Sequence, residues 1–313
     1  MSGVNWFQGG NTNDSFTQGS RILRPRIRHT VPERLRKNAR ADEAPETAQP
    51  QATGAPFQAS SAFAAPCIDA PYDHSYLDAD KQILIRRFST GDMTYFIADV
   101  QLTDPALLHT ALSGDRANGA LEPLSAMAQR CGAVLAVNAE DYGVHKYGTI
   151  IRNGELIRAQ DTTRSMLIVD QNGDLSVHAD RANEDVQALS QSLLDANAWQ
   201  TFEFGPELVR GGQAVDPDPA FDLISTDPRR RDPRTVIGQI GPLHYVLLVA
   251  DGRQSGYSKG MTLGEAQRLM LDLGAQTAMN LDGGGSSELW FMGEILNRPS
   301  QGREHPLSDI LYF

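Results

Sequence analysis

This sequence has little of what declares a compartment, a cofactor or a nucleic-acid partner. It holds two cysteines, Cys67 and Cys131. One disulfide is within reach of that number and a disulfide framework is not, so the redox compartment stays open. No apolar run is long enough to span a bilayer. The N-terminus lacks the basic-then-apolar pattern of a signal peptide; either export by that route is not expected, or a leader lies outside this chain. Positive charge is in deficit, with a net charge of −11 at pH 7, which argues against nucleic acid as the main partner. There is no His/Cys cluster with metal-ligand spacing. No Gly-rich stretch heads a βαβ unit with a Lys-Ser/Thr, so the nucleotide P-loop reading fails. There is also no Gly-x-Ser-x-Gly elbow and no internal repeat. What is there is 313 residues, 40% hydrophobic and 21% charged. That is an ordinary globular composition with length enough for a substantial core.

Residues 1–65 differ from the rest. They begin Gly/Asn/Ser-rich, turn basic between Arg21 and Arg40, and then become an Ala/Pro/Gln/Ser tract. Sparse apolar residues without periodicity read as a disordered arm, either a solvated tail or an attachment to an anionic surface. The expected globular domain is 66–313.

Within that domain most signals are hairpins. Gln82–Phe88 and Thr94–Leu102 flank a Ser89-Thr90-Gly91-Asp92 turn. Thr149–Arg152 and Glu155–Arg158 flank Asn153-Gly154, a pair suited to a type I′ turn. Ser165–Asp170 and Leu175–His178 form another pair. Helical spacing appears at Leu121, Leu124, Met127, Ala128 and Cys131 before Gly132, and at Val186, Leu189, Leu193 and Leu194. Thr262 with Glu265 has the spacing of a capping box and starts a helix that stops at Gly274. Asp309–Phe313 reads as a closing strand that belongs to the core. Hairpins with a few helices predict an α+β fold with a mixed sheet.

The chemistry concentrates at strand ends. Residues 277–289 run from a buried strand into Asp282, the glycines Gly283, Gly284 and Gly285, and the hydroxyls of Ser286 and Ser287. Three glycines in a row weaken regular structure. They serve either a tight turn or a backbone that aims N–H groups at an anion. Other strand ends release Asn138, Arg234, Asp251 and Arg253. Asp251 and Asp282 could act as an acid/base or nucleophile pair in glycosyl transfer to water. Arg234 and Arg253 suit bidentate phosphate binding. The blander account is turn aspartates making Asx bonds and surface arginines. In the polar loop 138–148, Glu140 and Asp141 could hold a metal, but adjacent side chains in an extended segment point opposite ways.

These stretches resemble the phosphodiester glycosidase family, which includes the mannose-6-phosphate uncovering enzyme and bacterial exopolysaccharide-related envelope proteins. The resemblance is carried by Asn280-Leu281-Asp282-Gly283-Gly284-Gly285-Ser286-Ser287, by Pro233-Arg234-Thr235-Val236-Ile237-Gly238, and by Val249-Ala250-Asp251-Gly252-Arg253 leading into Ser258-Lys259-Gly260-Met261-Thr262. Phe204-Gly205-Pro206-Glu207-Leu208-Val209, Asn297-Arg298-Pro299 and Ser308-Asp309-Ile310 also fit, in order, over roughly residues 80–313. One position departs: after Ala136-Val137-Asn138, Ala139 stands where the family commonly has glycine, before Glu140-Asp141-Tyr142. The resemblance implies hydrolysis of a glycosyl-1-phosphodiester, with release of an N-acetylglucosamine-like sugar from a phosphate-linked group on a glycan or envelope polymer. For that reaction the residues themselves suggest Asp282 as nucleophile or general base and Asp251 as acid or orienting group. Asn138, Tyr142, Arg234, Thr235, Arg253, Gly283–Gly285, Ser286 and Ser287 would bind substrate. The resemblance also suggests an extracellular or envelope location. The sequence requires no cofactor, a divalent metal is compatible with it, and it leaves the oligomeric state open. Two other classes fit the same residues: a metal-dependent phosphodiesterase cleaving P–O, and a non-catalytic glycan-binding module.

Overall fold

Apolar alternation broken by short turns folds most of the chain into antiparallel hairpins. The computed structural model describes residues 63–115, 120–160, 162, 164–179, 185–216 and 227–313. The arm expected over 1–65 lies, up to residue 62, outside them. In chain order the strands are β1 (His74–Leu77), β2 (Lys81–Thr90), β3 (Met93–Leu102), β4 (His109–Leu112), β5 (Leu135–Asn138), β6 (Gly148–Arg152), β7 (Glu155–Gln160), β8 (Ser165–Asp170) and β9 (Leu175–His178). They continue as β10 (Ala198–Phe204), β11 (Glu207–Arg210), β12 (Gln213–Ala214), β13 (Arg234–Gly241), β14 (His244–Ala250), β15 (Thr277–Asn280), β16 (Leu289–Phe291), β17 (Glu294–Ile295) and β18 (Asp309–Tyr312). Helix α1 (Leu124–Cys131) follows β4, α2 (Val186–Asp195) follows β9, and α3 (Leu263–Asp272) follows β14.

The strands form three sheets, ordered β1-β2-β3-β14-β13-β15-β11-β12, β7-β6-β10-β8-β9 and β17-β16-β5-β18-β4. This is the α+β class expected, and the pairings among the described strands are antiparallel. The expected hairpins are present. Asn153 and Gly154 both have positive φ, 53° and 75°, as a type I′ turn requires. Helix α3 carries both halves of its capping box, Thr262 with the Glu265 N–H and Glu265 with the Thr262 N–H. Helix α1 begins later than its apolar spacing suggests. Pro123 precedes it and disfavours helical backbone in the residue before itself, so Leu121 is left exposed.

Inner faces of the three sheets meet in one core, where Ile83, Phe96 and Ile237 pack with Leu135, Val137, Leu167 and Phe202. Each helix covers an outer face: α3 the eight-stranded sheet, α1 the sheet of β18 and β5, and α2 the sheet of β6, β8 and β10. The closing strand β18 is internal, paired with both β4 and β5. The antiparallel order also places the chemistry. Because β13 runs against both β14 and β15, its first residues lie beside the last residues of each: Arg234 pairs with Ala250, and Val236 with Asn280.

Candidate active site

The chain after β15 turns abruptly, and that turn is pinned from three sides. The Leu281 N–H donates to the Thr235 carbonyl (2.8 Å), the Asp282 N–H to that of Ala139 (3.0 Å), and the Gly284 N–H to that of Pro233 (3.0 Å). Asn138 completes the clamp. Its Nδ2 donates to the Asp282 carbonyl (2.6 Å), while its Oδ1 accepts from the Thr235 hydroxyl (2.7 Å) and the Glu288 N–H (3.2 Å). Asn138 and Thr235 are both buried, so they hold the floor of the site together. Ala139 is buried as well and is not among the residues with positive φ. Its methyl group therefore sits in the core without backbone strain.

Asp282 is only half-buried by surface area, yet its carboxyl is surrounded closely enough to titrate far from the usual range. Burial, followed by the like charge of Asp141, pushes it up to about 7. Hydrogen bonds from the Ser286 hydroxyl and the Gly283 N–H, and the charge of Arg164, pull the other way. The Gly283 bond is 2.8 Å. Asp141 is held between Arg164 (2.5 Å) and His145 (3.2 Å), and Arg164 lies over the rings of Tyr147 and Phe204. The neighbouring carboxylate whose charge adds to burial in raising the Asp282 pKa is Asp141. Glu140 and Asp141 do point opposite ways: Glu140 faces inward to Arg152, which also binds Asp309 (2.6 Å).

Asp251 is buried with both oxygens engaged. Oδ1 accepts from Asn297 Nδ2 (3.0 Å) and the Arg298 N–H (2.8 Å), and Oδ2 accepts from the Tyr257 hydroxyl (2.7 Å). Burial raises its pKa, against the lowering effect of those donors. The geometry is that of a residue organising the 297–298 segment. Tyr142 is similarly committed, donating from its buried hydroxyl to the Ser308 carbonyl (2.7 Å). Of the three glycines, Gly283 spends its N–H on Asp282 and Gly284 on Pro233, so two of the expected anion donors are already used. The glycines serve close approach as well. At Gly284 φ is +64°, and a Cβ would lie 2.9 Å from a terminal nitrogen of Arg253. Gly285 lies against Gln301 and His305 in the same way.

The cationic side of the turn is built around buried Asp232. Its Oδ1 accepts from Arg253 Nε (2.8 Å) and Arg230 Nη2 (3.0 Å). Arg253 is itself in the left-handed region, φ 57°, its side chain 40% exposed. Its terminal nitrogens make no hydrogen bond among the described residues. Arg234 is buried and donates to the carbonyls of Met261 (3.1 Å) and Arg230 (3.0 Å), with no carboxylate ion pair among the described residues. Burial, with the cations Arg253 and Arg230, lowers its pKa to about 10 against the pull of Asp232. Guanidiniums that crowd one another in this way favour an anion between them.

Two residues at the site carry no sequence motif of their own. Glu288, fully buried, accepts the His305 N–H at Oε1 (2.6 Å), and its Oε2 has no partner among the described residues. Burial first, then Glu304, raises its pKa to about 8. An acidic side chain set directly before the apolar Leu289–Phe291 strand was the signal for it. Arg164 had none, since it reaches Asp141 across a gap of 23 residues. Ser286 is buried against Asp282, and the buried Ser287 hydroxyl has no partner among the described residues.

A family model described as phosphodiester glycosidase (NAGPA) matches residues 131–313, more than half of the chain. The SPbeta prophage-derived uncharacterized protein YomE of Bacillus subtilis (strain 168) is 31% identical over 196 residues, 61% of this chain and 29% of that protein. The chain therefore spans under a third of that curated relative. Among solved structures, the catalytic domain of zebrafish N-acetylglucosamine-1-phosphodiester alpha-N-acetylglucosaminidase, auto-inhibited by its pro-peptide, superposes with a TM-score of 0.58. It is 18% identical, over 78% of this chain and 86% of that one. A hypothetical protein from Synechocystis gives the same TM-score of 0.58 at 15% identity, over 78% of this chain and 64% of that one. At such identities the likeness speaks for the fold alone.

Proposed function

Because this chain belongs to the phosphodiester glycosidase family, we propose that it hydrolyses a sugar-1-phosphodiester, freeing the sugar and leaving a phosphomonoester. The observation that carries this reading is Asp282. It is a carboxyl pushed up to about 7, half-open to solvent, at a turn whose glycine packs on the free end of Arg253. A group titrating near neutrality is suited to taking a proton from an attacking water, and Asp282 is assigned that base role. Arg253, with Arg234 behind it, would hold the phosphate, and the Ser286 hydroxyl would orient the carboxylate. A sugar phosphate leaves readily, so little acid assistance is asked of the protein. Asp251, whose oxygens are engaged, takes the orienting role and sets the 297–298 segment. Asn138, Thr235 and Tyr142 position the floor and walls.

Substrate identity goes further than family membership. N-acetylglucosamine is the first sugar to test, since the structurally similar zebrafish domain is described as acting on its 1-phosphodiester. A glycan or envelope polymer outside the cytoplasm is the setting proposed for the natural substrate. Among the described residues no helix is long and apolar enough to cross a membrane. The test is incubation of the purified chain with sugar-1-phosphodiesters in ¹⁸O-labelled water, with and without chelator. Label in the free sugar is the expected result and marks C–O cleavage. Label in the phosphate would replace this reading with a phosphodiesterase. Tight binding of a diester without product would replace it with a glycan-binding module.

A further inference from the structure

A second polar cluster lies at the far end of the eight-stranded sheet. Asp99 sits in the middle of β3 with no solvent exposure, on the face that also carries Tyr95 and Ile97. Its neighbours are His244 at the start of β14, with Nε2 3.1 Å from Asp99 Oδ2, and Cys67 in the segment before β1, whose N–H donates to the same oxygen (2.5 Å). One thiol sulfur, one carboxylate oxygen and one imidazole nitrogen lie within 4.8 Å of one another. A second observation points the same way. Gln82 pairs directly with Gln101 across β2 and β3, so its side chain shares this face of the sheet. It is 1% exposed, and among the described residues neither its amide nitrogen nor its amide oxygen has a hydrogen-bond partner. Buried amides are rarely left so.

We propose that Cys67, Asp99 and His244 bind a zinc ion, with a water in the fourth position that Gln82 would hydrogen-bond. A thiolate, an imidazole and a carboxylate together suit zinc rather than calcium or magnesium, which take oxygen donors, and three protein ligands with one open position is a recurrent zinc arrangement. On binding, the Cys67 S–H bond is replaced by S–Zn and the proton passes to solvent. The ligands stand 32 and 145 positions apart in sequence, which is why no spacing motif announces them. His244 opens β14 and Asp251 directly follows its last residue, which sets them about 23 Å apart by strand rise. The ion is therefore a clasp, fixing the segment around residue 67 onto the sheet away from Asp282.

The full chain, stripped with chelator and dialysed, would be titrated with cobalt(II) and then zinc. Expected are one metal per chain, a near-ultraviolet thiolate-to-cobalt band, and displacement of cobalt by zinc. The band is lost in Cys67→Ser and kept in Cys131→Ser. Zinc raises the Tm of the unmodified chain by roughly 5 °C or more and leaves that of Cys67→Ser unchanged. Should Cys67→Ser fold poorly, zinc protection of the Cys67 thiol from alkylation in the unmodified chain gives the same answer. Absence of a thiolate band, its persistence in Cys67→Ser, or equal alkylation with and without zinc overturns the proposal. None of these readouts depends on turnover, so failure here and failure of the glycosidase reading are separable.

Discussion

A carboxyl that titrates near neutrality ties activity to pH in a direction that can be worked out. A base must be unprotonated to act, so kcat/KM is expected to be full above about pH 7 and to fall as pH drops through the Asp282 pKa of about 7. Asp282→Asn removes the base without changing shape. Its kcat should fall at least about 100-fold with an unchanged circular dichroism spectrum; near-parental turnover would take Asp282 out of the mechanism. Glu288 makes a stability statement instead. Its folded pKa of about 8 lies above the unfolded value. Its contribution is therefore fully favourable below the unfolded pKa and is lost as pH rises through about 8. Glu288→Gln keeps an acceptor for the His305 N–H and has no charge to bury. Between about pH 6 and about pH 9 the parent should lose on the order of 2–3 kcal/mol more than this variant, read by urea unfolding at each pH. Equal pH dependence would mean that Glu288 stays ionised. At this scale the sequence was legible where side chains cluster along the chain, as in Asp282 through Ser287. Asp141 and Arg164 come together only through folding, and the pairing of Asp282 with Asp251 looked plausible because nothing in the chain displays the Asn297, Arg298 and Tyr257 donors that occupy Asp251.

Elements were more legible than their partners. The β2–β3, β6–β7 and β8–β9 hairpins follow from local turn chemistry, which needs no distant information. That β18 would sit between β4 and β5 does not follow from any local pattern. Its place rests on Arg152, at the end of β6, which donates to Glu140 and to Asp309 and lies over the Phe202 ring. One guanidinium between two buried carboxyls balances when one of the two keeps its proton. Accordingly burial, only partly offset by Arg152, raises the pKa of both Glu140 and Asp309. Arg152→Leu would leave both acids buried without their cation, at a cost of about 3–5 kcal/mol. The expected readout is an earlier urea midpoint at unchanged slope. Adding Glu140→Gln and Asp309→Asn should recover part of the loss, since neutral amides need no counter-charge. A loss under about 1 kcal/mol for Arg152→Leu would mean that water reaches the network.

At the scale of the molecule, the family match starts at residue 131, but the sheet that carries the site does not. Strand β14 is buried throughout and pairs residue by residue with β3 from His244 to Ala250. Ile83, Ile85, Phe96 and Val100 from β2 and β3 fill the common core, while Leu84, Tyr95 and Ile97 pack with α3 on the other face. Removing residues before 131 would expose both apolar faces at β14 and turn a central strand into an edge. A long, flat, hydrophobic edge is an aggregation template. The loss also reaches the site, because the Asp251 N–H donates to the Thr94 carbonyl (3.0 Å) and the Thr94 N–H donates to Ser258 Oγ (3.0 Å), and both bonds go with β3. A fragment of residues 131–313 is therefore expected to aggregate or to show no cooperative thermal transition, whereas a chain that retains residues 63–313 unfolds as one unit. Differential scanning calorimetry on both would decide it. A cooperative transition in the shorter fragment would show that β1–β4 and α1 are an addition to the family's fold and not a part of what holds it.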